Sequence, residues 1–140
     1  MAEWGIMPKE LLPIVIATVV WGKRWEGRLV RARCDTMAVV VALGTGTCKE
    51  KTSMRLLQCL AMIEAMRPLS LRAEHIKGVD NMVADALSRN DSVRAHSLMQ
   101  VSVEEPTAVP PELLELLCSD SQSWTGQEWR RLLDLLSTTQ

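Results

Sequence analysis

Apolar positions along the chain follow two rhythms, a helical one and a two-residue alternation, and their succession outlines the fold. Lys9–Trp21, KELLPIVIATVVW, is apolar at nearly every position after its first two residues. Its β-branched residues (Ile14, Val15, Ile16, Val19, Val20) suit a buried strand as well as a helix. Length and start signals favour the helix. Pro8 fits a helix start, where a missing N–H is harmless, and Glu10 in the first turn would complement the helix dipole. On this reading Pro13 lies early enough to be tolerated. Gly22 and Gly27 bracket a turn. Arg28–Asp35, RLVRARCD, interleaves arginines with Leu29, Val30, Ala32 and Cys34 and reads as a strand. Thr36–Leu43, TMAVVVAL, reads as a short helix capped by Asp35 or Thr36, followed by the loop GTGT at 44–47.

Thr52–Met66 carries the clearest helical pattern, with Met54, Leu57, Ala61, Met62 and Ala65 in register and Leu56, Leu60 and Ile63 widening the stripe. Thr52 or Ser53 can cap it, and Pro68 ends it. Its methionines read as core. Leu69–Ile76 alternates as a second strand, Gly78 turns the chain, and Asn81–Arg89 forms a short helix. Strand, helix, helix, strand, helix predicts an α/β unit with two parallel strands joined by a right-handed crossover. Residues 1–7 read as a lead-in, 8–91 as the α/β unit and 92–110 as a polar, proline-bearing linker. Residues 111–140 read as a tail of two amphipathic helices, Pro111–Leu117 and Thr125–Leu136. Leu113, Leu114, Leu116 and Leu117 form one apolar face, and Trp129, Leu132, Leu133, Leu135 and Leu136 the other.

Composition narrows the chemistry. A net charge of −1 provides no global basic field for nucleic acid. Positive charge is local: Lys23, Arg24, Arg28, Arg31 and Arg33 form either a solvated strand and turn or a phosphate-contacting edge. There are five Trp and no Phe or Tyr, so base stacking would fall to Trp, His or Arg. Cys34, Cys48, Cys59 and Cys118 form no CxxC pair, which argues against a zinc site. With no basic-then-apolar leader, a reducing intracellular compartment is expected, cytoplasm or nucleus. Leu11–Trp21, interrupted by Pro13 and Thr18, is too short to span a bilayer, so no membrane partner is expected.

Three acids occupy suggestive places. Glu10 opens the first helix, Asp35 ends the first strand, and Asp85 lies in the helix after the second strand. Ligands of open parallel sheets gather outside the carboxyl ends of the strands. Carboxylates converging there repel unless a divalent cation intervenes, and two such cations can clamp a phosphodiester displacement. Each acid also has a plain structural role open to it: a dipole partner for Glu10, a helix cap for Asp35, a surface position for Asp85.

The stretch His75-Ile-Lys-Gly78-Val-Asp-Asn81-Met-Val-Ala84-Asp85-Ala-Leu-Ser-Arg89 resembles the C-terminal signature of retroelement ribonuclease H domains, H-x-x-G-x-x-N-x-x-A-D-A-L-S-R, at all nine fixed positions. Lys9-Glu10-Leu11-Leu12 resembles the E-L motif of that family's first helix, and Cys34-Asp35-Thr36-Met37-Ala38-Val39-Val40 its D-N-x-A-V element. KELLPIVIA, WGKRW, GTGTCKE and the PPELLELL and WRRLL helices are similar to the tyrosine-recombinase-bearing, DIRS-like retrotransposons. The resemblance covers residues 4–91, and the tail more loosely.

It implies an incomplete ribonuclease H-like α/β fold: two parallel strands with helices, the N-terminal antiparallel strands missing, and a helical tail. Glu10, Asp35 and Asp85 would hold Mg2+ or Mn2+, and His75 would assist proton transfer or product release. Asn81 would hold the turn before the last helix, near the site, and Arg31 and Arg33 of the local basic cluster join it as candidate contacts to an RNA–DNA hybrid. Two departures stand out. Only Met1–Met7 precedes the first helix, so the family's metal-bridging aspartate has no counterpart, and Thr36 replaces the usual Asn. Two functions follow: hydrolysis of RNA in hybrids as part of a larger polyprotein, or a non-catalytic scaffold or interaction module. Without the family's neighbouring strand, the Arg28–Asp35 strand is expected to expose an edge open to self-association.

Overall fold

A computed structural model of the chain describes residues 3–99, 107–119 and 123–139. Its elements in order are α1 (Ile6–Trp21), a 3-10 turn (Gly22–Trp25), β1 (Leu29–Cys34), α2 (Met37–Thr45), α3 (Lys51–Met66), β2 (Ser70–His75), a second 3-10 turn (Gly78–Asn81), α4 (Met82–Ser88), α5 (Ser92–Met99), α6 (Pro111–Leu117) and α7 (Gly126–Thr138). The fold is mixed α/β and mostly helical. β1 and β2 pair in parallel, with Leu29 opposite Ser70 and Cys34 opposite His75.

The 9–21 segment is helical, and it starts earlier than its sequence suggests. Gly5 is the N-cap and Ile6 the first helical residue, so the helix takes in the last two residues of the expected lead-in. Pro8 then sits third, where its lost N–H is still one of the four without a partner. Glu10 falls beyond the first turn, and Pro13 is the eighth helical residue, well inside the helix. A proline there deprives the Lys9 carbonyl of its partner. Pro13 is exposed, so water can reach the gap. The opposite side, Leu11, Leu12, Val15, Thr18, Val19 and Val20, is buried.

α3 packs along α1. Its buried side is Ser53, Leu56, Leu57, Leu60 and Ile63, with Arg55 and Cys59 beside them. Ala61 and Ala65 are exposed and Met54 and Met62 only half-buried, so Leu57 with the flanking Leu56, Leu60 and Ile63 forms the core face, and the methionines read as core lie at its margin. The cap also differs from expectation. Neither Thr52 nor Ser53 caps through its side chain; the Glu50 carboxylate accepts from the backbone N–H of both, at 3.0 and 2.6 Å.

A helix, α5, occupies part of the stretch expected to be linker. Asn90 takes a left-handed conformation at φ 58°, ending α4. Asp91 then caps α5: its carboxylate accepts from the Arg94 N–H at 3.0 Å and its carbonyl from Ala95 N–H at 3.1 Å. Ala95 is fully buried. The paired Asn-Asp is thus a stop followed by a start, which composition alone reads as loop.

The tail helices form where expected, α7 behind a Thr125–Glu128 capping box. They join the main core: Leu113, Leu116, Leu117, Leu132 and Leu136 cluster with the buried residues of α1 and α3, while Leu114 and Leu133 face outward. Among the described residues no helix is long and apolar enough to cross a membrane.

Candidate functional site

Asp35 follows directly on β1, and α2 begins two residues later. Thr36 holds the N-cap position of α2, yet its side chain makes no capping bond. Its hydroxyl is instead 3.1 Å from Glu10 Oε1 and 3.4 Å from Asp35 Oδ1. A hydroxyl has one proton, so it serves the nearer Glu10 or switches to Asp35. Two carboxylates from α1 and the β1–α2 junction therefore share one hydroxyl at the carboxyl edge of the sheet. The residue that departs from the ribonuclease H pattern is the one that joins them.

Cys34 lies beside this pair. Burial raises its pKa first, and the charges of Glu10 and Asp35 raise it further, so it remains a thiol and not a nucleophilic thiolate. Cys59 is pushed up to about 12 by burial, against the pull of Arg55. None of the four cysteines forms a disulfide.

His75 closes β2 opposite Cys34, at the same edge of the sheet, with its side chain exposed. The next residue continues the ladder, Ile76 N–H donating to the Cys34 carbonyl at 2.9 Å. Asn81 occupies the N-cap position of α4 without a side-chain cap bond. Asp85 is engaged elsewhere: its Oδ1 accepts from Arg89 Nε at 3.3 Å, and its carbonyl accepts from the Ser88 hydroxyl at 2.8 Å. The A-D-A-L-S-R end of the signature thus supplies its own local bonds around Asp85. Among the described residues, no group of three or more His, Cys, Asp or Glu is placed to hold a metal ion. Glu10 and Asp35 are brought together; Asp85 does not complete the expected triad.

The donors that do meet are two carboxylates and a hydroxyl. They suit one hard cation whose shell is finished by water or phosphate oxygens. They do not supply the ligands of a two-cation clamp.

Arg31 and Arg33 lie on the outer, solvent-facing side of the sheet, where Arg33 pairs with Glu74 at 3.8 Å. The arginines the sequence reading passed over are the buried ones. Arg67 Nη1 reaches the Val19 carbonyl at 2.9 Å and the Thr18 carbonyl at 3.4 Å, while Nη2 reaches those of Leu136 and Thr139 at 2.6 and 3.2 Å. These are unsatisfied carbonyls at the ends of α1 and α7. Arg55 Nη2 does the same for Leu117 and Ser119 at the end of α6, at 2.9 and 3.3 Å, and its guanidinium lies 5.3 Å from the Trp124 ring centre. Arg55 stands four residues before Cys59 on a helix rich in apolar residues, a placement by which the sequence could have marked it.

No protein-family model, no curated protein and no solved structure matches this chain.

Proposed function

We propose that the chain is a ribonuclease H-like segment of retroelement origin, whose Glu10–Asp35 pair binds one divalent cation, Mg2+ or Mn2+, and through it a nucleic-acid phosphate. The observation that carries this reading is the meeting of Glu10 and Asp35 on the Thr36 hydroxyl. Two distant acids are drawn to one edge, in the order of the E-L, D-x-x-A-V and H-x-x-G motifs. The bound cation would supply charge neutralisation for a phosphate. The chain's own residues contribute the carboxylates that hold it and the Thr36 hydroxyl that orients them.

A second reading, a non-catalytic scaffold or interaction module, is favoured by the engagement of Asp85 with Arg89. It leaves two carboxylates at the site, where hydrolysis through paired cations needs more. The two readings separate experimentally. Mn2+ titration followed by NMR should broaden resonances around Glu10, Asp35 and Thr36, and Asp35→Asn should abolish the effect. A labelled RNA–DNA hybrid should be cut little or not at all with Mg2+ or Mn2+. Absence of Mn2+ broadening at these residues would dismiss the cation site; brisk cleavage lost in Asp35→Asn would establish a complete enzyme.

A further inference from the structure

The two-stranded sheet leaves one edge uncovered. In a parallel ladder each strand bonds its neighbour through alternate residues. The bonds from Ser70 N–H to the Arg28 carbonyl and from Ile76 N–H to the Cys34 carbonyl set the phase: the Arg28 carbonyl and the peptide groups of Val30, Ala32 and Cys34 turn to β2. Leu29, Arg31 and Arg33 therefore turn theirs the other way. The far edge of β2 is guarded at Leu71, whose N–H is donated to Glu64 Oε1 at 3.3 Å. Among the described residues, β1 has no such cover.

Two more features mark this edge. The inward residues Val30 and Ala32 are only half-buried, although they face the helices. The outward residues of the sheet are Leu29, 55% exposed, with Arg31, Arg33, Ser70, Arg72 and Glu74. Three arginines thus face one glutamate, and Arg31 lies directly opposite Arg72. Like charges directly opposite are unfavourable in a sheet, so this face lacks negative charge in a chain whose net charge is −1.

We propose that the free edge of β1 binds an extended peptide of alternating acidic and apolar residues, which adds a strand beside Leu29–Cys34. Its backbone would pair with Leu29, Arg31 and Arg33. Its acidic side chains would lie beside Arg31 and Arg33, and its apolar ones would complete the cover of Val30 and Ala32. A phosphate backbone would answer the arginines alone, not the open peptide groups or the half-covered inner face. A second copy pairing through the same edge would bring arginines against arginines.

The test uses the full chain and an eight-residue peptide in which glutamate and valine alternate. Binding should slow amide exchange at Leu29, Arg31 and Arg33. A peptide methylated on alternate backbone nitrogens should bind at least tenfold more weakly, and so should a lysine–valine peptide. Arg31→Glu should lose the acidic peptide and gain the basic one. Arg31→Pro, which removes an N–H pointing away from the ladder, should keep the melting temperature and lose binding. Equal binding of the methylated peptide would overturn the proposal, since charge alone would then suffice. So would protection of these amides by an RNA–DNA hybrid but not by the peptide, or their concentration-dependent protection in the chain by itself.

Discussion

Arg67 and Glu50 decide more than their surface-loving residue types suggest. Burial pulls the pKa of Arg67 down, and Glu26 opposes it; the guanidinium is kept inside because carbonyls from two helix ends surround it. Arg67→Met should leave those carbonyls unsatisfied and cost about 3 kcal/mol, a typical desolvation penalty for buried polar groups. Urea unfolding measures this, and Arg67→Lys should recover only part, since an ammonium cannot fork to both ends. Gly22 belongs to the same arrangement: a Cβ there would sit 2.8 Å from Arg67 Nη1. For Glu50, burial alone would raise the pKa, but hydrogen bonds from Ser53 and Thr52 outweigh it and hold it below the ordinary value. A depressed folded pKa means stability that is present above the unfolded pKa, about 4.3, and lost as pH falls through the folded value. Glu50→Gln should therefore weaken the chain at pH 7 by about 1 kcal/mol, the usual worth of a helix cap, with the difference from the parent shrinking in melts below about pH 4. The Arg67 role was not legible in the sequence, because it depends on which carbonyls two distant helix ends leave open; the Glu50 cap is local, and was passed over because Thr52 and Ser53 are the more usual capping types.

At the scale of the element, periodicity found every helix and strand of the α/β unit, and the misreadings lie at their ends. The 9–21 run was legible as a helix from its length, but Gly5 as the cap was not, and Pro13 became an interior residue. Pro13→Ala should restore the bond to the Lys9 carbonyl and, on an exposed face, raise stability by about 1–3 kcal/mol; thermal melting would show the gain, and an unchanged or lower midpoint would mean the gap is relieved elsewhere. The α3 pattern was legible as helical, with Leu56, Leu57, Leu60 and Ile63 all within its apolar face; that its methionines would lie at the margin was not, because a helix rich in leucine and methionine offers two overlapping stripes. What chose between them was the position of α1, on which Leu56, Leu60 and Ile63 lie. The Glu10–Asp35 meeting was half legible: motif order brought the two acids to one edge, but nothing local announced that Thr36 would leave its capping role to join them. Asp85 does not join them, and its carboxylate lies instead 3.3 Å from Arg89 Nε, one helical turn on.

Across the whole molecule, α6 and α7 are less a tail than a wall of the core. Leu132 is fully buried against residues of the α/β unit, so Leu132→Ala should cost about 2–5 kcal/mol, the range for emptying a packed leucine site. A denaturation curve with a single shifted transition is expected; a small separate transition would show that the helices melt on their own. The sequence marked both helices as amphipathic but could not say what their apolar faces met. Arg67 reaches 49 residues back to Thr18 and 69 forward to Leu136. A single side chain thus ties the start, middle and end of the chain, and such distant contacts carry a high loop-closure cost before they return anything. The consequence is kinetic. The Arg67 clasp is expected to form late in folding: Arg67→Met should speed unfolding while leaving the refolding rate nearly unchanged, and the closing turns of α1 and α7 should exchange their amide hydrogens in one shared opening.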